Sequence, residues 1–319
     1  LLIAMDNSST VLITSTSSTL AEDAMDNPCN ATDEYLLVPR FFLAVVFGVA
    51  LSIISICFNS FIFVVFVTSK QHRNSYNLYL LLLSLFDVFI GISYIAVISN
   101  NVLINWTASY KLKAIWVSYM VPMLTISHIG ITASTYLITF AAIERYCITV
   151  NSNKVAFLQH HRKTIAFIAV MAGMISKGTM LEEVTIRTNP QCIGMFNEWE
   201  VKPSDLVIEN VLFNKIWRFY FRNIFTILAP FFILLYLNAG LIYRLVPAKV
   251  LSSFLVRENK LSYRSCWLYR YLPFYVLSVA LLSLLTVIAS CLRLPIYITC
   301  QPLLRKEMYQ FLCEFCFFG

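Results

Sequence analysis

The chain has 319 residues, 59% of them hydrophobic and 13% charged, with a mean hydropathy of +0.72. So little polar surface excludes a soluble globular protein of this size and points to an all-α integral membrane protein of one domain. The net charge of +7 marks a positive cytosolic face against anionic lipid, not a nucleic-acid-binding surface.

The first forty residues are rich in Ser, Thr, Asp and Asn and read as an extracellular tail over 1–40, with glycosylation sequons at Asn7-Ser8-Ser9 and Asn30-Ala31-Thr32. The start has no basic stretch of a signal peptide, and the chain opens on Leu1, as a fragment would. An uncharged run from Phe41 to Ser69, bracketed by Arg40 and Lys70, predicts a first span over 41–69 and contains Asn59. Tyr76 to Tyr110 holds the single charge of Asp87 and predicts a second span over 76–100, with a third sequon at Asn105-Trp106-Thr107. Ala114 to Ile143 is broken only by His128 and predicts a third span over 114–146, ending in Glu144-Arg145-Tyr146.

A fourth span over 163–181 reaches bilayer length only if Lys177 snorkels and Gly178 to Leu181 are included. After it come the acids Glu182, Glu183, Glu198 and Glu200. Asn223 to Tyr243, between Arg222 and Arg244, centres a fifth span over 219–245, and Tyr271 to Leu292 centres a final one over 272–298. Segments this apolar must be helical, because an open strand in lipid leaves its backbone unpaired. Between these two spans, Leu245 to Arg270 carries Arg257, Glu258, Lys260, Arg264 and Arg270. At about +2.5 to +3.5 kcal/mol for each central charge, that segment does not insert. The bundle therefore occupies 41–300 and a tail 301–319, where Leu304 to Phe311 reads as an amphipathic helix on the cytosolic surface. Cys313 and Cys316 beside it are candidates for palmitoylation or stay as free thiols.

Lys and Arg concentrate after the first, third and fifth spans, so those loops are cytosolic and the N-terminus is outside; six spans then put the C-terminus outside as well, which conflicts with a cytosolic amphipathic tail. Cys29 and Cys192 fall on the oxidising side, where they pair or remain single. A transporter or channel would show internal repeats or a path of polar residues, and none is evident. No catalytic residue and no metal-ligand spacing recurs, so neither an enzyme nor a metal site is expected.

Two features carry chemistry. Glu144 beside Arg145 at a cytosolic helix mouth makes an ion pair that opens to release an arginine toward an intracellular partner, or else anchors a helix end. Asp87, within Ser84-Leu85-Phe86-Asp87, is an intramembrane carboxylate and so a functional hypothesis by default, or a carboxyl hydrogen-bonded between helices. With Asn59, these residues resemble the class A (rhodopsin-like) G protein-coupled receptors. The patterns Tyr119-Met120-Val121-Pro122, Thr132-Ala133-Ser134-Thr135-Tyr136, Phe232 to Asn238 after Pro230, and Leu292-Arg293-Leu294-Pro295-Ile296-Tyr297 are similar to the FMRFamide-like neuropeptide receptors of invertebrates, nematodes above all.

The resemblance implies a seven-helix bundle, here lacking or degenerate in the sixth helix, in the plasma membrane with a peptide ligand outside and a heterotrimeric G protein inside. Asn59, Asp87 and Ser134 would form a polar centre that binds sodium in the inactive state. Glu144 would hold Arg145 at rest, Tyr146 would complete the motif, Tyr297 would swing inward, and Pro230 would bend the fifth span. A ligand ending in Arg-Phe-amide would pair its arginine with Glu182, Glu183, Glu198 or Glu200 and its phenylalanine with Tyr119, Trp217 or Tyr220; Met123 and Ser127 are further candidates. Departures stand beside these matches. Met120 takes the place of the usual third-span cysteine, so Cys192 needs another partner or none. Arg293 stands four residues before Tyr297, where an asparagine is expected, and Pro295 comes one place late. Between Ala114 and Ile143 the third span has no acid for a monoamine. A receptor-derived membrane protein that does not signal is the alternative expectation.

Overall fold

The computed structural model describes residue 29 and residues 36–68, 77–210, 212–245, 271–300, 305, 308 and 309. These form six long helices and one β-hairpin. Helix α1 runs Leu37–Thr68, α2 Asn77–Thr107, α3 Tyr110–Thr149 and α4 Arg162–Glu183. The hairpin pairs β1, Val184–Thr188, with β2, Trp199–Pro203. Helix α5 starts at Phe213, and its last segment, Ala229–Leu245, carries it to its end. Helix α6 runs Tyr271–Cys300. The first five are long and apolar enough to cross a membrane, and α6 contains an apolar stretch Ser283–Ile296.

Helix α3 is the hub, packed against α2, α4 and α5, while α1 packs between α2 and α6. One buried cluster joins Ile62, Val65 and Phe66 of α1 to Leu80 and Leu81 of α2, Leu294 of α6 and Met308. A second joins Tyr79 of α2 to Leu137 of α3 and Ala166 and Ala169 of α4. Small residues let backbones approach closely where lipid supplies no hydrophobic drive. Gly173 does this most sharply: a Cβ there would lie 3.0 Å from the Ile129 carbonyl oxygen and 3.2 Å from the Ala133 amide nitrogen.

Helix α5 begins earlier than residue 219, the start expected from sequence. Arg218 and Arg222 face inward, 4% and 6% exposed, so they sit within the packed helix instead of marking the membrane edge. The helix widens into π-helical turns over Phe213–Phe221 and Ile224–Leu228, just ahead of buried Pro230. Proline lacks an amide hydrogen and its ring crowds the preceding turn, and a wider turn relieves that crowding. In a π-helical register the Phe225 carbonyl would look to the amide of residue 230, which is this proline. The Tyr136 hydroxyl of α3 donates to that carbonyl instead, at 2.7 Å.

The hairpin was not anticipated. Its strands are antiparallel, with Val184 opposite Pro203, Ile186 opposite Val201 and Thr188 opposite Trp199. The alternation Val184-Thr185-Ile186-Arg187-Thr188 is a strand signal, masked in sequence by the surrounding acids. Residues 246–270, expected to lack a span, lie outside the described residues, as do Asn7, Asn30, Cys313, Cys316 and the side chain of Tyr297.

Candidate functional site

At the bundle centre, Asn59 of α1 donates to the Ser55 carbonyl at 2.9 Å and to the Ser290 carbonyl of α6 at 3.3 Å. Asp87 of α2 is fully buried, and Ser134 of α3 is buried with its hydroxyl oxygen unpaired among the described residues. The partner of Asp87 is a residue the sequence reading treated only as a departure. Arg293 places Nη1 2.5 Å from Asp87 Oδ2. Ser290 and Arg293 are three apart on α6 and so share one helix face, which aims both at α1 and α2.

The expected sodium does not fit this arrangement. Asp87 Oδ1, Asn59 Oδ1 and the Ser134 and Ser290 hydroxyls are buried oxygens of the right kind. The guanidinium, however, already neutralises the carboxylate through Oδ2. Two unit charges about 4 Å apart repel by roughly 4 kcal/mol at an effective dielectric of about 20, which outweighs what neutral hydroxyls offer a second cation.

At the end of the bundle near the α3–α4 connection, the expected pair of Glu144 with Arg145 is replaced. Glu144 is buried and is gripped by Arg162, the first residue of α4: Nε lies 3.0 Å from Oε1 and 3.1 Å from Oε2, and Nη2 also bonds Oε1. Adjacent helical residues point in different directions, so with Glu144 turned into the α4 interface, Arg145 faces outward and is exposed. It lines a cavity of about 270 Å³ together with Tyr79, Leu137, Tyr146, Leu237 and Asn238. Tyr146 reaches across to α5, where Gly240 accommodates it; a Cβ at 240 would lie 2.9 Å from the tyrosine ring.

At the opposite end, Cys29 and Cys192 form a disulfide, and the Asn197 amide donates to the Cys29 carbonyl at 2.8 Å. The hairpin is thus fastened to the chain ahead of α1. It is also fastened to α3: Tyr110 donates to Glu198 at 2.7 Å and stacks on Trp199 at 5.0 Å, and Lys113 bonds Asn197 at 3.0 Å while lying over the Phe196 ring. Glu198 also accepts the amide of Gly194, whose φ of 78° suits the turn, at 2.9 Å. Met120 is a buried apolar residue.

Most of the expected ligand acids have partners within the chain. Glu198 holds the hairpin turn, and exposed Glu200 pairs with Lys202 at 2.7 Å. Glu183 is 1% exposed and saturated. Arg222 donates to it from Nη1 at 2.9 Å and from Nη2, Thr179 donates to it at 3.0 Å, and Arg218 Nε lies 3.6 Å away. Arg222 also donates to the Ser176 carbonyl at 3.1 Å and to Thr179 at 2.8 Å. Glu182 is exposed and forms no ion pair among the described residues. Arg218 and Arg222 are the functional-looking pair the sequence reading missed; their spacing of four, which puts both on one helix face, was the available signal.

The aromatic candidates separate. Tyr119 is turned to α2, donating to the Ala96 carbonyl at 3.1 Å and accepting from Asn100 at 3.0 Å. Trp217 donates to Thr179 at 3.4 Å and stacks on Phe221 at 4.7 Å, while Tyr220 is exposed. Ser127 lines a cavity of about 180 Å³ with His128, Tyr94 and Thr286, and half-buried Met123 does not. Asn105 is half-buried in the last turn of α2, next to Trp106, which stacks on Phe41 at 4.5 Å. No protein-family model matches this chain, and no curated protein matches it.

Proposed function

We propose that the chain is a rhodopsin-like membrane receptor for an extracellular peptide of the FMRFamide-like class, acting on a heterotrimeric G protein. The observation that carries this reading is the placement of Arg145, exposed and lining a cavity between α2, α3 and α5 while its neighbour Glu144 is tied to Arg162. A basic side chain at the mouth of an apolar cleft is suited to receive the end of a partner helix. The hairpin fastened over the other end supports a site there for a ligand from outside, and Glu182 is the acid available to a ligand arginine. The loop charges support an orientation with the N-terminus outside, and plasma-membrane residence is what the resemblance implies. Challenging cells that express the chain with a panel of amidated peptides, and reading nucleotide exchange, tests the function. Peptide-dependent exchange that Arg145→Ala abolishes without loss of peptide binding is expected, and silence across the panel would reject the ligand class.

A second reading, a receptor-like protein that binds but does not signal, is favoured by the ion pair of Asp87 with Arg293, which fixes a centre that would otherwise change between states. Saturable peptide binding with no nucleotide exchange would select it.

A further inference from the structure

Three helices converge on the charge pair at the bundle centre. Helix α2 supplies Asp87; α6 supplies Arg293 and the Ser290 carbonyl; α1 supplies Asn59, which donates to that carbonyl at 3.3 Å. Asp87 is fully buried and the Arg293 side chain is 18% exposed. An isolated ion at this depth is costly, and removing one partner of a buried pair leaves the other uncompensated, which is more damaging than removing both. Each residue therefore requires the other.

We infer that Arg293 is a tethered counter-ion. It supplies at the polar centre the positive charge that a diffusible sodium ion would supply in a receptor of the class this chain resembles. Docking of α6 on α1 and α2 is then indifferent to sodium and dependent on residue 293. A diffusible ion leaves by dissociating while the helices stay in place. A tethered one stays covalently attached to α6 even when its side chain swings away from Asp87, so it is never exchanged with ions of the solvent.

Thermal unfolding of the purified full chain in detergent, in sodium chloride and in choline chloride of equal ionic strength, tests this with a folding readout that holds whether or not the chain signals. The midpoint of the unchanged protein is expected to be the same in both salts. Arg293→Asn restores a neutral ligand beside Asp87, and its midpoint is expected to be lower in choline and to rise saturably with sodium alone. A sodium-specific rise in the unchanged protein, or none in a folded Arg293→Asn variant, would overturn the inference. If Arg293→Asn does not accumulate as folded protein, the paired variant Asp87→Asn/Arg293→Gln decides. Removing both charges is expected to restore folded protein, and failure to restore it would mean that the two residues are not each other's counter-ions.

Discussion

Arg162, the first residue of α4, closes on Glu144 of α3 and leaves Arg145 facing out. A motif read in sequence as an acid and its neighbouring arginine is thus divided between a helix interface and an open cavity. Arg162→Ala strands a carboxylate that is 3% exposed, and breaking such a buried pair costs about 3–5 kcal/mol. Arg145→Ala removes an exposed side chain and is expected to change stability by less than about 0.5 kcal/mol. Unfolding of the two purified variants in a graded denaturing detergent checks the order. If Arg145→Ala proves the more damaging, Glu144 and Arg145 are the real pair.

The Tyr136 hydroxyl and Pro230 make a second testable couple, because the tyrosine serves the Phe225 carbonyl that the proline cannot. Tyr136→Phe is expected to cost about 1 kcal/mol, the usual net value of a hydrogen bond. In a Pro230→Ala background the new amide can serve the carbonyl, and the cost of Tyr136→Phe should fall toward zero. A double-mutant cycle on unfolding measures the coupling directly; equal costs in both backgrounds would dissociate the hydroxyl from the proline.

What the sequence made legible follows a physical division. Hydrophobic runs and loop charge are properties of consecutive residues, so the six helices were placed to within a few residues at most ends, and Asp87 stood out because a charge in an apolar run is costly wherever its partner lies. Its partner was not legible, because Arg293 lies on another helix and no local rule pairs residues across a bundle. The same holds for Arg162 with Glu144. Arg222 misled in a more specific way. A positive charge at the edge of an apolar run ordinarily marks the membrane interface, and this one faces Glu183 inside the packing, which hid the outer turns of α5. The disulfide partners Cys29 and Cys192 were separable from the other cysteines by compartment alone.

Helix crossing supplies a sharp steric contrast. At Gly173 an added methyl meets backbone atoms of α3 at 3.0 and 3.2 Å, which cannot move aside independently, whereas at Gly178 it meets nothing within 4 Å. Gly173→Ala is expected to destabilise by about 1–3 kcal/mol through overpacking. Gly178→Ala, in the same helix, should be neutral or stabilising by up to about 1 kcal/mol, since alanine is the better helix former. Thermal midpoints of the two variants decide it, and a harmless Gly173→Ala would mean that α3 and α4 cross at a greater distance.

The two neighbouring acids at the end of α4 differ in role, and separating them tests where a peptide's arginine would bind. Glu183 is enclosed, and Arg222 and Arg218 both address it. Glu183→Gln leaves those guanidinium groups without the carboxylate they share, and in a buried network that loss is about 3 kcal/mol or more. The expected result is a fall in folded protein at the cell surface, with no selective effect on any ligand. Glu182 is exposed, so Glu182→Gln should leave surface expression unchanged. An exposed ion pair contributes about 0.2–1 kcal/mol, so this change should weaken binding of an arginine-containing peptide by at most roughly fivefold and leave a lysine- and arginine-free analogue unaffected. Surface labelling paired with competition binding separates the two effects. Normal surface expression of Glu183→Gln combined with selective loss of the arginine-containing peptide would transfer the ligand contact to Glu183 and show that its network with Arg222 opens to admit the ligand.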